Sequence, residues 1–350
     1  MKIGNKEISL NSTCFIIAEL SANHKGDIEV AKETIKAAKR AGADCIKLQT
    51  YTADTITLDC DREDFKIAQG TVWDGQSFYE LYEEAHTPWE WHQELFDVAK
   101  EEGLIIFSSP FDFSAVDFLE NLNVPAYKIA SFEITDTPLI EYVASKGKPV
   151  IISTGIASVE DIELALESCK KAGNDEVIIL KCTSAYPAHP EDANLLTIPD
   201  ISNKFNVVSG LSDHTLGIEA PVVAVAMGAK VIEKHFILDK AIGGPDAHFS
   251  LDESEFSEMV KAVRKAEQMM GVVDYEMTEK KKKRREFSRS LYVAENIKKG
   301  EIITEKNVRS VRPGFGLHPK HLKEVLGKKV MFDLEKGTPF SLEHLKRKTT

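Results

Sequence analysis

The sequence predicts an α/β fold: a (β/α)8 TIM barrel followed by a small, irregular, β-rich domain. Three observations carry that expectation. Short runs rich in Ile and Val alternate with amphipathic stretches of helical length, and there are eight such runs before residue 240. No GxGxxG follows the first run, which disfavours an open doubly wound sheet. Charge also divides the chain: residues 1–279 hold 24 Lys+Arg and 48 Asp+Glu, whereas residues 280–350 hold 20 and 8.

The eight strands are expected at 14–19, 45–49, 104–108, 126–130, 150–154, 177–182, 207–211 and 230–236. A helix is expected at 28–41, stopped by Gly42, and another at 87–102, stopped by Gly103. In the second, Thr87 reads as the N-cap and Pro88 as the first helical residue. Residues 252–271 read as a long amphipathic helix that ends the barrel domain, 1–271. The run KKKKRR at 280–285 marks a solvated basic linker, 272–286. The tail domain, 287–350, has strand-like runs at 291–294, 302–303 and 330–332 between Gly-containing turns.

The whole chain of 350 residues carries a net charge of -12, from 44 Lys+Arg against 56 Asp+Glu. Such a balance argues against a nucleic-acid partner, which needs clustered cations. No apolar run is long enough to span a membrane, and the N-terminal stretch has no signal-like apolar core. The five cysteines are widely spaced with no CxxC pair. Cys14, Cys45 and Cys182 sit in apolar runs and read as buried free thiols, which suits a cytoplasmic protein.

In a barrel of this type, chemistry gathers at the C-terminal ends of the strands. Those ends are polar here: AELSANH, IKLQT, FSSP, YKIASFE, ISTG, LKCTSAYP, GLSDHT and IEKHF. Lys47, Lys128, Lys181 and Lys234 stand inside apolar runs, where a lysine needs a partner. They read either as buried pairs with Glu19, Glu133 or Glu233, or as cations converging with Ser and Thr hydroxyls on a phosphate or carboxylate. His214 and His235 end successive strands and are placed to share a divalent metal, with Asp213 and Glu233 as partners fixing their tautomers. The remaining histidines, His24 and His92 among them, read as surface or core residues. These residues describe a lyase, an aldolase or an enzyme of phospho-substrates, with Glu19 able to move protons.

The same motifs resemble the sialic acid synthase family. Its members make nonulosonic acids by condensing phosphoenolpyruvate with an amino sugar. The resemblance runs through FIIAELSANHKG, AGADCIKLQTY, YKIASFE, ISTGIA, LKCTSAYPA, GLSDHT, VIEKHF and GGPD, then SRSLYVA and VRPGFGLHP in the tail. It implies a barrel with an antifreeze-like (SAF, β-clip) C-terminal domain, in a domain-swapped homodimer where each small domain caps the partner's barrel. By motif, His214 and His235 match metal ligands, with manganese usual and magnesium or cobalt tolerated. Glu19 matches the essential carboxylate. Lys47, Lys128, Ser131, Ser153 and Ser212 match positions that hold phosphoenolpyruvate, and Glu133, Tyr186 and Asp246 match sugar-side positions. Ser184 stands where N-acetylneuraminate synthases commonly carry Asn, and Arg312 matches an arginine offered by the partner's tail.

Within the family, AELSANH, QTYT and RPGFGLHP look most like the branch making pseudaminic acid from a 2,4-diacetamido-2,4,6-trideoxy hexose of the altrose form. The legionaminic acid branch is the nearest competitor, followed by the N-acetylneuraminate branch. Two further alternatives are a relative of 3-deoxy-heptulosonate synthase and a non-catalytic carbohydrate-binding protein. The opposed charges of barrel and tail are expected to favour the swap, most strongly at low salt.

Overall fold

In the computed structural model, which describes residues 1–68 and 74–346, a hairpin of β1 (Lys2–Ile3) and β2 (Lys6–Glu7) precedes the main sheet. Eight parallel strands then close into a barrel: β3 (Phe15–Glu19), β4 (Cys45–Thr50), β5 (Ile105–Pro110), β6 (Tyr127–Ile129), β7 (Val150–Ser153), β8 (Val177–Cys182), β9 (Val208–Asp213) and β10 (Val231–His235). Neighbours in sequence pair with each other, and β10 returns to β3 with Val231 opposite Phe15. Each strand lies within two residues of its expected run. Their Ile and Val content follows from burial on both faces. One set, including Ile17, Ile129 and Ile179, packs with Ile3 and Ile8 of the hairpin region. Another, including Ile16, Ile46 and Ile232, packs with apolar helix residues such as Ile35 and Phe256.

The helices are α1 (Ile28–Ala41), α2 (Ala53–Ile56), α3 (Phe78–Ala85), α4 (His92–Glu101), α5 (Phe113–Asn121), α6 (Thr137–Ala144), α7 (Val159–Lys171), α8 (Thr197–Phe205), α9 (Glu219–Ala226) and α10 (Glu253–Met270). Helix α1 starts where Asp27 accepts from the amide of Glu29. It stops where Gly42, at φ +92°, returns its amide to the carbonyls of Ala38 and Lys39. Helix α10 opens with a capping box between Asp252 and Glu255. The expected helix at 87–102 is corrected. Trp89–Trp91 form a 3₁₀ turn and α4 begins only at His92. The buried Thr87 hydroxyl lies 3.3 Å from Nε2 of His24, so it serves a tertiary contact instead of a cap.

The chain divides into two compact units, Met1–Gly271 and Val272–Thr350. In the second, most of the basic run lies in a short exposed helix, α11 (Glu279–Arg284), and Arg285 opens the 3₁₀ turn that follows. Strand β11 (Ser290–Val293) pairs antiparallel with β12 (Val308–Val311). The expected strands at 302–303 and 330–332 are corrected: Ile302 forms only an isolated bridge to Lys329. Val330 nevertheless joins Leu291, Ile303, Val308 and Phe340 in a small core, with α12 (Leu322–Val325) contributing Val325. No helix among the described residues is long and apolar enough to cross a membrane.

Candidate active site

Barrel register brings the charged strand ends together. Glu19 lies beside Lys47 on β4 and beside His235 on β10. Because side chains alternate along a strand, Lys47 and Gln49 share a face, as do Glu233 and His235, and Ser212 and His214. Lys47 Nζ lies 2.8 Å from Glu19 Oε2 and 3.4 Å from Glu233 Oε1. Lys128 Nζ lies 3.9 Å from the same Glu233 oxygen and donates to the Ile129 carbonyl at 2.9 Å. Gln49 Nε2 donates to Glu19 Oε1 at 2.9 Å and to Ser21 Oγ at 3.0 Å, and Ser212 Oγ donates to Glu233 Oε1 at 3.2 Å.

All four ionisable groups are nearly inaccessible to solvent. Burial lifts the Glu19 carboxyl to about 7, against the pull of Lys47 and with the push of Glu233. Burial would lower Lys47, but the two carboxylates beside it hold it above the usual lysine range. Lys128 is held below that range by burial, which Glu233 only partly offsets. Two carboxylates and two lysines therefore share one buried volume.

A second cluster sits beside it. Ser131 Oγ accepts from the Gly155 amide at 3.1 Å. A Cβ at Gly155 would lie 2.0 Å from Ser184 Oγ and 2.8 Å from Ser131 Oγ, so only glycine lets these groups converge. Among the described residues, six buried polar side-chain atoms have no hydrogen-bond partner. Four of them, on Glu133, Ser153, Glu233 and His235, belong to this region, while a fifth, Glu19 Oε2, is held in the ion pair with Lys47. Leaving such an atom unpaired costs about 1–3 kcal/mol, so the clustering marks a surface shaped for a ligand.

The two histidine rings lie 5.2 Å apart. His214 Nδ1 is 3.0 Å from the Thr183 carbonyl, a contact in which the ring N–H donates and Nε2 is left as the acceptor. His235 Nδ1 is the buried unpaired nitrogen noted above and lies 3.6 Å from Asp246 Oδ2. Burial, with the charges of His214, Lys47 and Lys234, keeps His235 well below the usual imidazole range and therefore neutral. Tyr186 packs against His214 with ring centroids 4.5 Å apart. Two imidazoles with a carboxylate beside His235 are donor types that a divalent first-row cation takes.

A cavity of about 380 Å³ opens beside this group, lined on its polar side by Ser21, Gln49, Glu133, Tyr186, His235 and Asp246. Its other wall is apolar. The size and mixed lining suit a small polar substrate with some apolar surface.

The family model described as "NeuB family" matches residues 34–275, and that described as "SAF domain" matches residues 288–346. The chain belongs to the NeuB family. Over 337 residues it is 53% identical to a protein named pseudaminic acid synthase from Campylobacter jejuni subsp. jejuni (strain 81-176), covering 96% of this chain and 97% of that one. Over 333 residues it is 48% identical to one of the same name from Helicobacter pylori, covering 95% and 98%. The crystal structure of spore coat polysaccharide biosynthesis protein SpsE from Bacillus subtilis covers 99% of both chains, with a TM-score of 0.67 at 33% identity.

Of the site residues expected in this NeuB family member, the barrel gathers Glu19, Lys47, Lys128, Ser131, Glu133, Ser153, Ser184, Tyr186, Ser212, His214, His235 and Asp246 at one end of the strands. Arg312 is exposed, in the second unit. Two of the four strand lysines do not join the site. Lys234 points to the opposite face of β10 from Glu233 and pairs with Asp213, while donating to the Thr215 carbonyl at 2.5 Å. Lys181 donates to the Cys182 carbonyl at 2.7 Å and to Thr183 Oγ1 at 2.9 Å. The tautomer-fixing roles expected of Asp213 and Glu233 are likewise corrected: both carboxylates are held by lysines, and the Thr183 carbonyl and Asp246 face the histidines instead. Two residues at the site were not singled out from the sequence as site residues. Gln49 bridges Glu19 to Ser21, and the Cys182 thiol sits 3.8 Å from His214 Nδ1. Lys47 and Gln49, two residues apart on one strand, gave a usable signal for the first; nothing local distinguished Cys182 from a core thiol.

Proposed function

We propose that the chain condenses phosphoenolpyruvate with an open-chain 2,4-diacetamido-2,4,6-trideoxy hexose of the altrose form, and with water, to give pseudaminic acid and phosphate. One observation supports this most: Glu19, a buried carboxyl raised to about 7, stands between Lys47 on one neighbouring strand and His235 on the other. The near-full-length likeness to two proteins named for that activity favours this sugar over its competitors.

Phosphoenolpyruvate would lie with its carboxylate and phosphate toward Lys47, Lys128, Ser131, Ser153, Ser184 and Ser212, where cations and hydroxyls offset its charge. His214 and His235 would hold a divalent cation such as Mn²⁺, which when bound polarises a carbonyl oxygen. Carbon 3 of the enol forms a bond to the aldehyde carbon, the C=O π pair moves to the aldehyde oxygen, which takes a proton from solvent to become a hydroxyl, and an oxocarbenium is left at carbon 2. Water adds to carbon 2 and gives its proton to the Glu19 carboxylate. The bond between carbon 2 and the phosphate oxygen then breaks, leaving a ketone and free phosphate. Glu133, Tyr186 and Asp246 would orient the sugar.

We further take the working form to be a cytoplasmic homodimer in which the tail of one copy, with Arg312, reaches the sugar site of the other. The opposed charges of barrel and tail and the buried free thiols at Cys14, Cys45, Cys169 and Cys182 support this. The test is phosphate release from phosphoenolpyruvate with a sugar panel, with and without chelator. Release with the diacetamido altrose, lost on chelation, is the expected result. Preference for N-acetylmannosamine, or release only with erythrose 4-phosphate, overturns the assignment.

A further inference from the structure

The apolar wall of the cavity is made by residues that the reaction itself does not use. Helix α3 carries Phe78, Leu81, Tyr82 and Ala85 at i, i+3, i+4 and i+7, the spacing of a core-facing stripe. No residue of α3 is fully buried, and all four of those residues line the cavity. Among the described residues, the stripe thus faces the cavity where a core would ordinarily be. Tyr51, at the end of β4, and Phe111, after β5, extend the same wall, and their rings meet edge-on at 5.1 Å. Tyr51 also meets Tyr82 edge-on at 5.6 Å, which ties α3 to the barrel rim. Ile56, from α2, completes the surface.

Half-exposed apolar side chains around a cavity gain by covering themselves with a ligand's apolar groups and lose by facing a hydroxyl. The polar side of the same cavity, with Gln49, Glu133, His235 and Asp246, is where the aldehyde end of an open-chain sugar is needed for reaction. A hexose held there by carbon 1 directs its far end across the cavity.

The geometry points to the wall formed by Ile56, Phe78, Leu81 and Phe111 as the element that selects the sugar by its alkyl groups, favouring a C6 methyl over a C6 hydroxymethyl. This rests on the preceding assignment of an amino-sugar substrate and adds the part of the protein that reads the deoxy end. Discrimination of a methyl from a hydroxyl-bearing group by an apolar surface reaches about 100-fold at most.

The test uses the full chain and two 2,4-diacetamido sugars of one stereochemistry that differ only at C6, methyl against hydroxymethyl. For the unaltered protein, kcat/KM should favour the methyl sugar by about 10- to 100-fold. In Leu81→Asn and Ile56→Thr, that ratio should collapse towards one while KM for phosphoenolpyruvate stays within about twofold, the change being confined to the far end of the sugar. An unaltered protein that turns over both sugars equally overturns the inference and leaves the activity standing. So does an equal loss for both sugars in the variants, or a changed oligomeric state with the ratio intact, which would give the wall to a second copy. No phosphate release with either sugar removes the underlying assignment, and this inference with it. The first comparison needs no variant, so a substitution that fails to fold does not stop the test.

Discussion

Glu19 lies 2.8 Å from Lys47 on the neighbouring strand, yet its carboxyl is raised to about 7. An ion pair at that distance ordinarily lowers a carboxyl. Here burial outweighs the lysine, and Glu233, 3.4 Å from the same ammonium, takes part of its charge. A carboxyl poised near neutral pH is suited to receive a proton from water and release it again.

Glu19→Gln is therefore expected to fold and to lose turnover by about 10²- to 10⁴-fold, the range for removal of a general base. Glu233 remains beside Lys47 in the variant, so the lysine keeps a partner. The unaltered enzyme should lose kcat as pH falls through about 7, because the base must be ionised. The variant's residual rate should lack that limb. Normal rates in the variant remove Glu19 from this role.

The barrel was legible because its strands combine Ile and Val with lengths of four to six residues at nearly every position, as in 177–182. Its polar strand ends stood out for the same reason: Lys47 and Glu233 interrupt otherwise apolar runs. What the sequence alone did not resolve was which lysines act together. Lys234 and Glu233 are adjacent in the chain but on opposite faces of β10, so a one-residue difference sends one to Asp213 and the other to the site. The apolar stripe of α3 was missed because its spacing is that of any core-facing helix; only the cavity in front of it sets it apart. In the tail, β12 was missed because Val308 and Val311 are separated by polar residues, and the core forms from irregular segments.

Glu133 gives a prediction with a sign. Burial lifts its carboxyl from about 4.5 to about 7, with Lys128 opposing. Its stabilising contribution is thus full below its unfolded value and is lost as pH rises through the folded one. Glu133→Gln does not titrate. The variant and the unaltered protein should have similar Tm at pH 4. At pH 8 the variant should be the more stable, by at most about 3 kcal/mol, or a few degrees. A pH-independent difference counts against the raised carboxyl.

The histidine pair predicts a metal effect that can be read without turnover. A cation that binds only the folded protein raises Tm with concentration. Manganese should raise Tm of the unaltered chain, and the rise should vanish in His214→Ala and in His235→Ala. Retention of the rise in both variants places the cation elsewhere. The His235 change should leave the fold intact, since it removes a nitrogen that has no hydrogen-bond partner.

Ser153 separates binding from stability most cleanly. Its Oγ is buried and has no partner among the described residues, so it burdens the fold by about 1–3 kcal/mol. Ser153→Ala removes that burden and leaves only a small gap. The variant should be at least as stable as the unaltered protein in urea. If the hydroxyl meets phosphoenolpyruvate, KM for that substrate should rise by about 10- to 150-fold, the equivalent of one lost hydrogen bond to a charged group. KM for the sugar should change little. A variant that is destabilised with unchanged KM would mean that Ser153 serves the barrel's packing, and that its unpaired oxygen marks no ligand.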